Sequence, residues 1–196
     1  MERKQRNFVL ETQRLILRPF QAEDAWDVYE YRKDLTVNCF ACLRLYSLEE
    51  AQAAVKEMAG DEEYTFAIVR KDSGKVIGQI DAHPESSQPD QTKSYVKDTF
   101  SPCWMLRSDH QGQGLALEAA TAFFDYLFRE KSARRIYAYT EDYNLKSQRL
   151  CEKLGMRREG LFREFVSFVN DKHGDPVYEN TYQYAILKKE WLGETK

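Results

Sequence analysis

Leu106-Arg107-Ser108-Asp109-His110-Gln111-Gly112-Gln113-Gly114-Leu115-Ala116 is the stretch on which the fold turns. The residues before it, Cys103 to Leu106, form an apolar run and predict a buried strand. The residues after it, Ala116, Ala119, Ala120, Phe123, Phe124, Leu127 and Phe128, recur at helical spacing. A strand therefore feeds a helix through a polar turn with two glycines. Such a turn aims free backbone N–H groups and the positive end of a helix at one point, which suits a phosphate or pyrophosphate. A side chain at either glycine would hold that ligand away from the backbone.

Two nucleotide loops fail on this stretch. The dinucleotide fingerprint needs a third glycine where Leu117 stands. The mononucleotide P-loop needs Gly-Lys-Ser or Gly-Lys-Thr, which does not occur in the chain. What stands is Gln111-Gly112-Gln113-Gly114-Leu115-Ala116, and taken alone it also fits a plain surface turn ahead of a helix.

Outward from the loop, the rest of the chain reads as alternating elements. Arg14 to Arg18 predicts a first strand closed by Pro19, and Asp24 a cap for a helix through Ala25, Val28, Tyr29 and Arg32. Ser47-Leu48-Glu49-Glu50 is a capping-box sequence ahead of Ala51, Ala54, Val55 and Met58, with Gly60 at the end. Tyr64–Arg70 and Val76–Ile80 predict a hairpin about Gly74. Residues 83–99 carry Pro84, Pro89 and mixed charge and predict a long loop. Arg135–Thr140 predicts the next strand. A second helix carries Leu150, Cys151 and Leu154 on one face and ends at Gly155. Strands over Leu161–Val169 and Tyr178–Leu187 close the chain. The order implies one α/β domain over residues 1–196, with a mixed central sheet and helices on both faces.

Composition narrows the function. With 29 basic and 32 acidic residues the net charge is -3, so no basic excess drives binding to nucleic acid or to an anionic membrane. No apolar run approaches the roughly 18 residues of a spanning helix, and no signal-peptide core follows the charged N-terminus, so a soluble cytoplasmic protein is expected. Cys39 and Cys42 form a C-x-x-C pair, but no second pair or H-x₃₋₅-H completes a metal site. The four cysteines are expected to be reduced and mostly buried, and no metal is expected.

The Gln111–Ala116 loop resembles the acetyl-coenzyme A pyrophosphate signature of the GCN5-related N-acetyltransferases, the GNAT superfamily. Three further blocks match its RimJ/RimL branch of ribosomal-protein N-terminal acetyltransferases. They are Glu11–Phe20 with Asp24-Ala25; Asn144-x-x-Ser147 with Cys151–Met156 and Glu159-Gly160; and Tyr184–Trp191. The resemblance covers about residues 10–191 and implies the GNAT fold, acetyl-CoA as co-substrate and a primary amine as acceptor. The acceptor is either a protein or peptide N-terminus or a small amine, and the protein a monomer or homodimer.

On that resemblance, Gln111, Gly112, Gln113, Gly114, Leu115 and Ala116 hold the pyrophosphate through backbone amides. Met105, Leu106 and Arg107 hydrogen-bond the pantetheine arm like an added strand, and a backbone N–H there polarises the thioester carbonyl. Asn144 and Ser147 contact the coenzyme, with Ser147 a proton donor to the leaving thiolate; helix capping is their plain alternative. Tyr143 is the rival acid, its ordinary pKa near 10 suiting a thiolate. Lys153 pairs with a coenzyme phosphate or lies on a solvated helix face. The base is sought among Glu164, Asp81, Glu141 and Asp142, with Glu164 the best positional match. Tyr137, Tyr139, Tyr182 and Tyr184 either line the acceptor pocket or pack across the sheet. An acetyl-CoA-dependent N-acetyltransferase is thus expected. A non-catalytic acyl-CoA-binding sensor on the same fold and an unrelated phosphate-binding domain are the alternatives.

Overall fold

The computed structural model describes residues 8–35, 37–86 and 97–194. In chain order the elements are β1 (Leu10–Glu11), β2 (Leu15–Arg18), α1 (Ala25–Arg32), α2 (Leu48–Met58), β3 (Thr65–Arg70), β4 (Val76–Asp81), β5 (Pro84–Ser86), β6 (Lys97–Phe100), β7 (Cys103–Leu106), α3 (Leu115–Arg129), β8 (Arg135–Glu141), α4 (Leu145–Lys153), β9 (Arg157–Asn170), β10 (Pro176–Leu187) and α5 (Lys188–Trp191). The strands form two five-stranded sheets, in the orders β1-β2-β3-β4-β7 and β5-β6-β8-β10-β9. The β6–β8 pair is parallel, whereas β8, β10 and β9 are antiparallel. The expected mixed α/β architecture is present, with its strands divided between two sheets. Two compact units result: residues to Asp34 with Leu45–Asp81 and Trp104–Phe123, and Leu35–Arg44 with Ala82–Cys103 and the chain from Phe124. Among the described residues no helix is long and apolar enough to cross a membrane.

In the first unit, β2 alternates buried Leu15 and Leu17 with partly exposed Ile16 and Arg18, while Phe66 to Val69 of β3 are all buried. A strand covered on both faces reads as a continuous apolar run, as Phe66-Ala67-Ile68-Val69 does. Phe66 meets Phe123 of α3 edge to face at 5.7 Å. Ser47 caps α2 by accepting from Glu50 N–H at 3.2 Å, while Glu50 reaches back to Tyr46 N–H at 2.7 Å. Asp24 behaves otherwise than its position suggests. Its carboxylate holds Arg18 at 2.7 and 2.8 Å and Gln21 N–H at 2.8 Å, so it fastens the chain between β2 and α1 and caps no helix N–H. The charged guanidinium outcompetes the neutral amide for the carboxylate.

In the second unit, β8 and β10 pair from Glu141↔Thr181 to Arg135↔Leu187. One face carries Ile136, Ala138 and Thr140 with Tyr182, Tyr184 and Ile186; the other carries Tyr137, Tyr139 and Glu141 with Glu179, Thr181 and Gln183. Trp191 of α5 packs on Phe124 and Phe128 at 5.6 and 5.9 Å and donates its indole N–H to Asp125 at 2.8 Å. The loop expected over residues 83–99 is corrected at both ends: β5 and β6 pair there, in register Pro84↔Phe100 and Glu85↔Thr99. Proline is tolerated at the first position of a strand, and fully buried Phe100 anchors the partner. Residues 87–96 lie outside the described residues.

Gly78 of β4 faces β7 at close range. A Cβ there would stand 2.1 Å from the Met105 carbonyl oxygen, which no real contact allows. Beside it, Arg107 N–H donates to Ile77 C=O at 2.8 Å, so β7 is held against β4 through a position only glycine fits. Gly78→Ala is expected to cost about 1–3 kcal/mol of unfolding free energy, the usual penalty of overpacking. A urea titration checks this, and an unshifted midpoint would show that the two strands part without penalty.

Candidate active site

The glycine loop lies in the first unit, between β7 and α3. After Leu106 a 3₁₀ turn, Ser108–His110, lifts the chain off the sheet edge. Gly112 and Gly114 then adopt φ of +76° and +78°, in the left-handed region that side chains avoid. A Cβ at Gly112 would meet no atom within 4 Å, so backbone conformation, and not crowding, is what demands glycine here. The N–H groups of Gly112, Gln113 and Gly114 donate to no backbone oxygen among the described residues. The first turn of α3 adds its own unpaired donors. The result is a concave row of N–H groups at the positive end of a 15-residue helix.

Side chains hold that row in shape. Gln111 Nε2 donates to Leu106 C=O at 2.9 Å and Gln113 Nε2 to Asp109 C=O at 3.0 Å. Arg14 donates through Nη1 to Gln113 C=O at 3.0 Å and through Nε to Glu118 at 2.6 Å. Glu118 also accepts from Arg14 N–H at 2.7 Å and from the Thr12 hydroxyl at 2.6 Å. Burial opposes the charge on Glu118, but these hydrogen bonds and the Arg14 guanidinium outweigh it and hold the carboxyl below its usual range. Met105 and Leu106 lie on β7, which is an edge strand of its sheet. An edge presents backbone groups to a peptide-like chain.

The second unit holds the other predicted residues. Asn144 is the N-cap of α4, its Oδ1 accepting from Ser147 N–H at 3.2 Å. Ser147 thus sits in the first turn of the helix, half-buried. Lys153 is exposed in the last turn. The Tyr143 hydroxyl donates to the Glu179 carboxylate at 3.1 Å. Partial desolvation pushes the phenol up most, the Asn38 N–H pulls it back, and the charges of Glu179 and Glu141 add to the rise, so that this 47% exposed tyrosine stands well above its ordinary value. Glu164 is exposed on a bulge of β9 with φ of +47°, its N–H held by Asn180 Oδ1 at 3.0 Å. Asp142 accepts from Asn180 Nδ2 at 2.9 Å, and Asp81 belongs to the first unit. The four tyrosines divide by face: Tyr184 is buried in the core, whereas Tyr139 is 43% exposed beside Tyr137.

Residues 14–157 match the family model of the acetyltransferase (GNAT) domain. The chain belongs to the GNAT family of N-acetyltransferases. An uncharacterised N-acetyltransferase of Bacillus subtilis, YnaD, is 32% identical over 92% of this chain and 97% of its own. A GNAT acetyltransferase structure from Bacillus anthracis superposes with a TM-score of 0.76 at 28% identity, covering 93% of this chain and 99% of that one. Spermidine N(1)-acetyltransferase of Escherichia coli is 31% identical, over 47% of this chain and 46% of its own.

Several features of this GNAT chain lie beyond its motifs. Glu179 and Thr181 are buried on β10, and Asn38 Nδ2 donates to Glu179 Oε1 at 2.5 Å. The alternation over Pro176–Leu187 does place Glu179, Thr181 and Gln183 on one face, but nothing in the sequence marks that face as covered. Asn38 lies in an unpatterned segment and carries no signal. The cysteines depart from expectation: all four are free thiols, but only Cys151 is buried, and Cys42 is exposed. The 3₁₀ turn Asn38–Leu43 has too little apolar periodicity to bury both members of its pair.

Because the native Glu118 carboxyl titrates below its unfolded range, its contribution is complete above that range and disappears as pH falls through the native value. Glu118→Gln is therefore expected to lower stability by about 1 kcal/mol at pH 7. The gap to the wild type should close progressively below about pH 4. Thermal melts at a series of pH values check this, and a gap independent of pH would assign the loss to packing.

Proposed function

We propose that the protein transfers the acetyl group of acetyl-CoA to a primary amine by direct attack on the thioester, its 196 residues acting as one catalytic domain of the RimJ/RimL-like branch. The observation that carries this reading is the loop Gln111–Ala116: two left-handed glycines and a row of unpaired N–H groups at a helix N-terminus. Those amides suit the pyrophosphate of the coenzyme. The edge strand β7, through Met105, Leu106 and Arg107, suits the amides of its pantetheine arm, which bond as an added strand does.

Acyl transfer also needs a neutral amine and a proton for the departing thiolate. Asn144 fixes the first turn of α4, and Ser147 in that turn has the positive helix end beside it. This supports Ser147 as the donor and coenzyme contact. Tyr143 already gives its proton to a carboxylate, which favours a positioning role for it. Glu164, exposed on its bulge, is suited to take a proton through water. Lys153 is suited to a coenzyme phosphate by its exposure and charge. The branch resemblance favours an α-amine acceptor, and the named activity of the spermidine relative favours a small amine.

Calorimetry is expected to show selective binding of acetyl-CoA over ATP, and free-thiol release should accompany turnover with members of an amine and peptide panel. Tight binding without turnover on any acceptor would favour a sensor. Ser147→Ala should lower kcat by about 10²-fold with little change in acetyl-CoA affinity, the usual loss on removing a proton donor. An unchanged kcat would leave Ser147 with capping alone.

A further inference from the structure

The outer face of β8 and β10 holds a feature that the loop does not explain. Glu141 and Glu179 are 5% and 7% exposed, and among the described residues neither forms an ion pair. Glu179 accepts from Asn38 Nδ2 at 2.5 Å and from the Tyr143 hydroxyl at 3.1 Å, and Glu141 from Asn144 Nδ2 at 3.4 Å. Neutral donors ease the burial of a carboxylate but leave its charge uncompensated. Both charges act on the same neighbours, Cys39 and Tyr143, so they share one small region. Thr181 lies directly opposite Glu141 in the ladder and two residues from Glu179 on the same face. It is 3% exposed, and its Oγ1 has no hydrogen-bond partner among the described residues. Two anionic acceptors and an unused hydroxyl thus converge on a covered face, with no cation paired to them among the described residues.

An aromatic wall continues that face. Tyr139, two residues before Glu141, packs on Phe162 and Phe165 at 6.0 and 5.6 Å, and those two rings lie 5.0 Å apart. The β9 bulge makes this possible: three residues, 163–165, stand opposite the single Asn180. The extra residues turn Phe165 back toward Phe162. All three rings are substantially exposed.

We infer that this face is a recognition site for a primary ammonium group, with Glu179, Glu141 and Thr181 Oγ1 accepting its N–H groups and Tyr139, Phe162 and Phe165 bordering the organic part. The inference rests on the acetyltransferase reading, because the ammonium is that of the acceptor. An ammonium offers three donors, which match the three acceptors, and one positive charge, which offsets one of the two negative ones. The neighbouring ring faces attract the same charge.

The test is calorimetric titration of CoA-loaded protein with spermidine in one arm and with a peptide bearing a free N-terminal amine in the other. Binding is expected in one arm, which names the source of the ammonium, and is expected to vanish when that amine is acetylated. Glu179→Gln keeps the shape and one acceptor oxygen for Asn38 while removing the charge, and should weaken amine binding by about 10-fold or more, with CoA affinity unchanged. Thr181→Val preserves the volume and should weaken it severalfold. Failure of both amines to bind the CoA-loaded wild type, or undiminished binding in both variants, overturns the inference. Failure of the wild type to bind CoA instead overturns the reading beneath it.

Discussion

One carboxylate fixes the glycine loop. Glu118, in the first turn of α3, gathers the Thr12 hydroxyl, the Arg14 N–H and the Arg14 guanidinium, and Arg14 in turn holds the Gln113 carbonyl. The helix start, the loop and the entry to β2 are thereby tied through a single group. Positive φ at Gly112 and Gly114 costs little only because both are glycine, but glycine alone leaves the loop free to take many other shapes. The clamp removes that freedom before any ligand arrives, so the ordering entropy is not charged to binding. It also neutralises an acidic side chain beside an anion site, where an unpaired glutamate would repel a phosphate.

The loop and its flanks were legible because each rests on local rules. A strand, two glycines and a helical apolar period lie within 26 residues of one another in Cys103–Phe128, and each is set by neighbouring residues; the strand expected to be buried is instead an edge strand in which only Met105 is buried. Asn144 as a cap and Gly155 as a helix terminus, with φ of +74°, are local for the same reason. The β5–β6 pair was hidden because Pro84-Glu85-Ser86 shows no apolar alternation, and it is Phe100 of β6 that is buried in the core. The Glu179 site was hidden more deeply. It depends on pairing Thr181 with Glu141, about forty residues apart in the chain, and on Asn38 reaching Glu179 from a segment with no period of its own. Propensity and motif spacing contain no term for such pairings.

The two groups of site residues are built on opposite electrostatic principles. At the loop, backbone dipoles and a helix end create a positive field, to which the Arg14 guanidinium on the Gln113 carbonyl adds. On the β8–β10 face, two carboxylates create a negative one, and their burial is tolerated through neutral amide and hydroxyl donors. An enzyme that joins an anionic coenzyme to a cationic amine has use for both signs.

The Tyr143 hydrogen bond bears on which residue protonates the thiolate. A phenol donates well to a leaving group when its pKa lies near that of the group it serves. Here the hydroxyl of the half-exposed Tyr143 donates to Glu179, and two nearby negative charges oppose the phenolate further. Giving that proton to a thiolate would leave a phenolate against a carboxylate, two like charges in hydrogen-bond contact. Ser147 faces the opposite situation, because the N-terminal turn of α4 lowers the cost of negative charge at its hydroxyl. The same acidic pair that suits Glu179 to an ammonium therefore disfavours its tyrosine neighbour as an acid and supports the role proposed for the helix-borne serine.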